Sequence, residues 1–477
     1  MAFKPIINLF SVLVMLFSIS LLAPLCISFF FEDGVEYIFL TTFVATFIPA
    51  LLAWSVTRKS NEEMGTKDGF VIITLFWVVL SFVGSMPFVL SGMSFVDSFF
   101  ESMSGITTTG ATVISGLDLL PESILFYRQM LQWMGGMGLI VLAIAVMPLL
   151  GIGGGQLFKT EIPGALNDQK LTPRIKETAQ ALWLIYLTLT FACAALYYLA
   201  GMTAFDAISH SLSTVSIGGF STHDASIGFF NSLSIELICI VFMLLSAFSY
   251  ALHYFAIYKR KPLKYFHDAE LRFFTSILLL IFVLSILFCY LLGYDGASLR
   301  QILFQSVSIV TTTGFVSTDY SSWPTVITFL LLVGAFIGAC SGSVGGGIKS
   351  WRVLIMINHA KINIMRLVHP NAVVSLKIGS KAVDDKVAES VWGFFSIYII
   401  SFMLLLLSLL ATGMDFESAF SAIGACLNNL GPGLGSVSET YSSVTDFGKG
   451  VLAFAMILGR LEIFTLLVLF TTVFWDK

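Results

Sequence analysis

Charge is scarce in this chain: of 477 residues only 11% are Asp, Glu, Lys or Arg, against roughly 25% in soluble globular domains. So few ions cannot cover a water-exposed surface, which excludes an ordinary soluble fold. The net charge of −4, with 25 basic residues that form no long run, excludes a nucleic-acid partner. Histidine and cysteine are equally rare, six of each. Cys26, Cys193, Cys239, Cys289, Cys340 and Cys426 lie far apart, with no CxxC or Cys/His spacing suited to metal or redox chemistry, and read as small core hydrophobes. Six histidines in no Ser/His/Asp or His/Glu arrangement also argue against a membrane enzyme.

Apolar residues take the place of charge: 57% of the chain is hydrophobic, with 45 Phe, 39 Gly and a mean hydropathy of +0.91. The chain is therefore expected to be an integral membrane protein. At about 20 residues per span, its length accommodates ten, and ten apolar runs are present. They cover 6–31, 37–56, 69–90, 124–150, 181–200, 233–258, 273–293, 323–337 resuming near 351–357, 391–411 and 451–474. The first exceeds the roughly 7–15-residue core of a secretory signal and reads as a retained span.

The connections between runs differ in charge. Arg58, Lys59 and Lys67, then Lys159 to Lys176, Lys259 to Arg272, and Lys349 to Lys386, with Lys4 and Lys477, place 21 of the 25 basic residues on alternate sides of successive spans. By the positive-inside rule these connections and both termini are cytoplasmic.

From the second pair of spans onward, the opposite connections are too apolar for exposed loops. They read SFVDSFFESMSGITTTGAT, AFDAISHSLSTVSIGGFST, SLRQILFQSVSIVTTTGFVST and DFESAFSAIGACLNNLGPGLG. Aligned on Gly110, Gly219, Gly314 and Gly431 they form a fourfold repeat of span, short segment, span. The repeats are expected at 69–158, 177–260, 271–358 and 389–477, after two N-terminal helices at 1–58. A segment such as 95–106 is too short to cross the bilayer and reads as a half-helix that dips in and returns as extended backbone. Four such loops on one axis can direct carbonyls at it, with the glycines supplying positive φ or close approach. A carbonyl ring that replaces a hydration shell selects potassium. For one isolated loop, glycine with Ser or Thr is equally the mark of helix packing.

With these motifs the chain resembles the TrkH family of the Trk/Ktr/HKT potassium transporter superfamily. The resemblance rests on TTTGAT at Thr107–Thr112, SIGGFS at Ser216–Ser221, TTTGF at Thr311–Phe315, NNLGPG at Asn428–Gly433 and MPLLGIGGGQLFKTEIPG at 147–164. Two spans ahead of the first repeat are also similar to TrkH rather than KtrB. The resemblance implies an all-α, single-chain, pseudo-fourfold pore that takes up potassium across the bacterial cytoplasmic (inner) membrane. It implies a homodimer with a TrkA-type cytoplasmic ring that binds nucleotides (NAD or ATP/ADP), potassium as the transported ion, and no organic cofactor. The implied potassium filter comprises Thr107, Thr108, Thr109 and Gly110; Ser216, Ile217, Gly218 and Gly219; Thr311, Thr312, Thr313 and Gly314; and Asn428, Asn429, Leu430 and Gly431. Members with Ser at the position of Gly110 favour sodium. Asn428, Asn429 and Pro432 make the fourth loop chemically unlike the others.

The third inner run breaks at GACSGSVGGGIKS, 338–350. Three consecutive glycines disfavour helix by about 1 kcal/mol each. Gly338, Ser341, Gly342, Ser343, Gly345, Gly346, Gly347 and Lys349 are thus gate candidates, a role the resemblance supports; a kinked helix or a loop outside the bilayer is the alternative. Lys349 also reads as a cytoplasmic-interface residue. Arg460, flanked by apolar residues, is costly at membrane depth. It is either a pore-facing charge that repels cations, as the resemblance implies, or one half of a buried pair with Glu462 or Glu101. Glu101 and His210 read as supports of the filter. Asp118, Asp224 and Asp319 either concentrate cations at the outer mouth or are solvated loop acids. GIGGGQ at 151–156 lacks the preceding strand of a dinucleotide-binding unit and is rejected as one. A proton- or sodium-coupled secondary transporter is the competing class, but would show inverted repeats.

Overall fold

The computed structural model describes residues 3–58, 65–146, 175–371, 374–379 and 381–475. The stretch at 147–164 with its GIGGGQ, together with Lys59, Lys159, Lys170, Arg174 and Lys477, lies outside them.

The apolar start of the chain forms α1 (Phe3–Ser20) and α2 (Leu22–Phe31), together a 29-residue span, followed by α3 (Glu36–Thr57). Hydroxyls in lipid must find partners inside the protein. Ser11 and Ser18 donate to the carbonyls of Ile7 and Val14, and the Ser18 and Thr46 hydroxyls meet at 2.7 Å across α1 and α3. Asp33 accepts the Ser123 backbone N–H at 3.0 Å, fixing this pair of spans to the unit that follows.

Four units of one plan come next: a long outer helix, a 12-residue helix, and an inner helix. The first contains α4 (Thr66–Leu90), α5 (Phe95–Ile106) and α6 (Glu122–Val146). The second has α7 (Ile175–Leu199), α8 (Ala204–Val215), α9 (Leu233–Ala247) and α10 (Tyr250–Ile257). A short α11 (Lys264–His267) leads to the third, with α12 (Ala269–Leu292), α13 (Leu299–Val310), α14 (Thr325–Ile337) and α15 (Ser350–Val368). In the fourth are α16 (Asp385–Leu410), α17 (Phe416–Leu427), α18 (Asp446–Arg460), α19 (Phe464–Leu467) and α20 (Thr472–Trp475). The chain is thus an all-α membrane protein. Among the described residues the one exception is a hairpin, β1 (Lys377–Ile378) with β2 (Lys381–Ala382), which turns at Gly379 and buries Ile378 beside Leu376.

Among the described residues six helices are individually long and apolar enough to cross a membrane, and two bent pairs bring the number to eight. The other two apolar runs of the sequence correspond to α6, of 25 residues, and to α14, whose 13 residues end at the glycine-rich loop. Only the third inner helix was expected to break. The second and fourth break as well, by 97° between α9 and α10 and by 108° after α18. At the first of these bends the backbone exchanges helical bonds for bonds to the third unit: Ala247 accepts from Cys340 N–H and Tyr250 N–H donates to Gly342. At the second, Glu462 and Ile463 both take positive φ, which no run of apolar residues announces.

Each 12-residue helix also packs against the inner helix of the preceding unit: α8 on α6, α13 on α9, α17 on α14, and α5 on α18. The circuit therefore closes. Two of these contacts carry ion pairs, Asp97–Lys449 at 2.5 Å and a bidentate Arg300–Glu236 at 2.6 and 2.7 Å. One large apolar cluster joins the N-terminal spans with the first and fourth units, another joins the second and third, and Trp133, Phe336 and Phe420 pack on both. The outer helix α4 has 61% of its apolar window buried, against 22–33% for its counterparts α7, α12 and α16. The N-terminal pair covers it; the others turn residues such as Leu199, Tyr290 and Leu407 outward, as a lipid-facing surface does.

Candidate functional site

The four short helices are built alike. Ser94, Thr203, Ser298 and Asp415 occupy the N-cap, and each side chain accepts the backbone N–H three residues on. Each helix is 12 residues long, and the second residue after it, Thr108, Ile217, Thr312 or Asn429, is left-handed, with φ between 52° and 63°. The chain end is then tied back as in a Schellman motif: Thr109 N–H to Ser104, Gly218 to Ser213, Thr313 to Ser308 and Leu430 to Ala425, at 2.8–2.9 Å. Holding L-residues left-handed costs of order 1–3 kcal/mol each and persists only where the surroundings impose it.

Beyond that residue the backbone extends to Gly110, Gly219, Gly314 and Gly431, all at positive φ. A Cβ added to Gly110 would strike the Gly218 carbonyl oxygen; to Gly219, that of Thr313; to Gly314, that of Leu430; to Gly431, that of Thr109. The four loops thus touch in chain order and close on themselves. All sixteen residues from Thr107 to Gly431 that the sequence singled out come together in this ring. Every helix C-terminus, with its partial negative charge, is directed into it, and no acidic side chain belongs to it. Such a backbone ring suits a monovalent cation that exchanges water for carbonyl oxygens.

The side chains break the fourfold plan. In the first and third loops paired threonines bond each other, Thr107 to Thr109 and Thr311 to Thr313, both at 2.7 Å. In the fourth, Asn428 accepts from Tyr398 Oη and donates to Gly424, while Asn429 donates to Thr109 Oγ1 and the Met456 carbonyl, both at 3.0 Å. In the second, Gln132 of α6 donates to the Gly218 carbonyl at 2.6 Å and accepts from Ser213 Oγ and Phe220 N–H.

Glu101 lies fully buried in α5 and accepts from Val113 N–H, Thr112 Oγ1 and Arg128 Nε, the last at 2.8 Å. Arg128 reaches on to the Ser221 carbonyl and covers the Phe220 ring at 4.2 Å, so this pair joins the first two loops. His210 spans from the Asp206 carbonyl to Ser221 Oγ. Sequence reasoning missed Gln132 and Arg128. The available signal was three polar residues, Arg128, Gln129 and Gln132, in an otherwise apolar run, a pattern that in a membrane marks an inward face.

An open vestibule of ≈ 530 Å³ lies on the side of the ring where the loops emerge, with Asp224 and Asp319 in its wall. Asp118 does not line it and instead meets His223 at 2.5 Å. That bond holds the Asp118 carboxyl below its usual range. Burial pulls the His223 imidazole down, but the carboxylates of Asp206 and Asp118 outweigh it and leave the group above the ordinary histidine value.

On the other side of the ring, residues 338–349 fold as a loop between α14 and α15 and press against the short helices' C-caps. Gly346 N–H donates to Thr312 Oγ1 at 2.7 Å and Gly347 N–H to the Asn428 carbonyl at 3.1 Å. A Cβ at Gly346 would fall on that same carbonyl. Gly338 lies against Gly346 and Gly347 of the same loop, Ser341 N–H bonds Glu270 and Gly342 accepts from Tyr250 N–H, while Gly342 and Ser343 also border the space beneath the ring. Between loop and ring is a narrow cavity of ≈ 40 Å³ lined by Gly345, Gly346, Lys349, Asn429, Arg460 and Glu462. Lys349 turns inward and donates to the Gly345 carbonyl, so it does not mark a water-facing boundary. Arg460, the last residue of α18, donates to Val344 at 3.0 Å and to Gly135 of α6 at 3.1 Å, with Trp77 5.3 Å away. The carboxylates offered as its partners are engaged elsewhere, Glu101 with Arg128 and Glu462 with Arg352.

A family profile described as "TrkH: Cation transport protein" matches residues 36–476. The chain is 50% identical over 482 residues to the Trk system potassium uptake protein TrkH of Halomonas elongata, and 47% identical over 483 residues to that of Escherichia coli K12, covering all of each protein. Its structure is similar to the crystal structure of the potassium transporter TrkH from Vibrio parahaemolyticus, with a TM-score of 0.90 and 48% identity over the whole of both chains.

Replacing Glu101 by Ala leaves Arg128, 1% exposed, without its carboxylate. Breaking such a buried pair costs about 3–5 kcal/mol. Thermal melting in detergent is expected to fall sharply, with partial recovery in Glu101→Ala/Arg128→Leu; an unchanged melting temperature refutes the role.

Proposed function

The chain belongs to the TrkH family of cation transport proteins, and from that membership we propose that it takes up potassium across the cytoplasmic membrane through the ring of four loops. The observation that carries the reading is the closed succession of glycine against carbonyl, Gly110 to Gly218, Gly219 to Thr313, Gly314 to Leu430 and Gly431 to Thr109. A potassium ion entering from the vestibule exchanges water for these carbonyls, steadied by four helix C-termini. Potassium is the cargo, and the four repeats at 69–158, 177–260, 271–358 and 389–477 act as quarters of one pore. Their shared direction, from N-cap to ring, supports a pore over a coupled secondary transporter built on inverted repeats.

In this reading the loop at 338–349 is the gate. It sits under the ring with Lys349 and Arg460 beside the path, where fixed positive charge opposes a cation until the loop withdraws. A TrkA-type nucleotide-binding ring governs withdrawal from the cytoplasmic side, a side that the positive-inside rule gives to the basic connections at 259–272 and 359–387 and to both termini. The protein works as a homodimer.

Gly110→Ser forces a side chain into positive φ and against the Gly218 carbonyl. In reconstituted vesicles the preference for rubidium or potassium over sodium is expected to fall by about tenfold, the equivalent of 1.4 kcal/mol; unchanged selectivity removes the filter assignment. Deleting Gly345–Gly347 is expected to raise flux in the absence of the regulatory ring, and a loss of flux with normal folding counts against the loop as gate.

A further inference from the structure

The loop at 338–349 is held by side chains of three residues from different elements, Glu270, Lys349 and Arg460. Its carbonyls accept from cations on the side of the ring, Val344 from Arg460 and Gly345 from Lys349. Its opposite shoulder lies against the second and third units, where Cys340 N–H reaches Ala247 and Gly342 accepts from Tyr250 N–H. Between those two bonds, Ser341 N–H donates to Glu270 Oε1 at 2.5 Å. Glu270 belongs to the first turn of α12, 71 residues earlier in the chain, and is 4% exposed.

A carboxyl group at 4% exposure is costly to bury unless it is hydrogen-bonded. The partner it finds is Ser341 N–H, in a distant segment of the chain. The capping of α12 does not require it, because Asp268 already supplies the N-cap oxygen to Leu271 N–H. Nor does Glu270 touch the ring or the vestibule. Its hydrogen bond is to the segment that, in the gate reading, must leave for the pore to open.

We propose that Glu270 is a positioning residue of the gate: its carboxyl group, bonded to Ser341 N–H, anchors the shoulder of the loop so that residues 345–347 stay beneath the ring. The loop is then clamped between a carboxyl group on the outer helix of its own unit and the side chains of Arg460 and Lys349 at its other end. Weakening any one of these bonds shifts the loop toward its withdrawn position. The proposal rests on the gate reading above, and the experiment separates the two.

Cys340 is an internal reporter, since its thiol is buried at 1% exposure beside Ser341 and becomes reactive only if the shoulder lifts. Potassium flux into vesicles and the alkylation rate of Cys340, read by peptide mass spectrometry, are compared for the native chain, Glu270→Gln and Glu270→Ala. Gln keeps an acceptor oxygen of nearly the same shape, and Ala removes it. Both readouts are expected to stay near the native level in Gln and to rise by about threefold or more in Ala, as the loss of one hydrogen bond implies. If Ala does not fold, Glu270→Met, similar in volume and without an oxygen, takes its place. A flat or falling series, while deletion of Gly345–Gly347 still raises flux, overturns the role of Glu270 and leaves the gate standing. If the deletion also fails to raise flux, the gate reading falls and the proposal with it.

Discussion

Backbone polar groups at membrane depth have no water to turn to, and every irregular stretch of this protein is shaped by that constraint. Four short helices end in the middle of the molecule, where their last carbonyls and the N–H groups beyond them would each be left at a cost of several kcal/mol. The chain meets this in the same way four times. A left-handed residue bends the N–H of the following one back into the helix, and that following residue's carbonyl faces the glycine of the preceding loop. Satisfaction is thus shared around a circle, with no loop able to hold its geometry by itself. The loop beneath the ring obeys the same rule, its N–H groups bonding to Thr312, Asn428, Ala247 and Glu270.

Fourfold order is therefore a property of the backbone, and the side chains are free to differ. Paired threonines brace two loops from within, whereas Gln132 of α6 braces the second from outside and the fourth loop's own asparagines reach out to Tyr398 and Met456. This division explains how Ile217 and Asn429 can stand where the other loops have threonine: what the position demands is a left-handed residue under constraint, and the constraint comes from outside the loop.

Much of this was legible from the chain alone, because it is written in local pattern. Scarce charge implied lipid, the alternation of basic connections implied repeated crossings, and glycines at fixed places in four similar segments marked the ring residues. The breaks at 248–249 and 461–463 were not legible, since SAFSYALHY and GRLEIFTLL carry no proline or glycine cluster at the bend. Those bends are stabilised by bonds to the third unit, a tertiary fact with no local signature. Arg128 and Gln132 were visible as polar residues in a span, but the second-loop carbonyls they reach, Ser221 and Gly218, lie 93 and 86 residues away. The two carboxylates offered as alternative partners of Arg460 meet other guanidinium groups, Glu101 that of Arg128 and Glu462 that of Arg352, a choice made by the circuit of packing.

Circular closure also sets an order of events. The first loop is finished by the last: Asn429 bonds Thr109 across 320 residues, Tyr441 N–H reaches Thr112, and Lys449 pairs with Asp97. A chain emerging from the N-terminal side inserts three quarters of the ring before its first quarter has a neighbour on both sides. Until the fourth unit arrives, no ring of carbonyls exists to offer an ion, so a membrane holding partly made copies is not breached by them. The same long reach makes assembly slow, since the contacts that complete the site are the most distant in sequence. In the proposed pore reading, the path is complete only when the fourth unit has met the first.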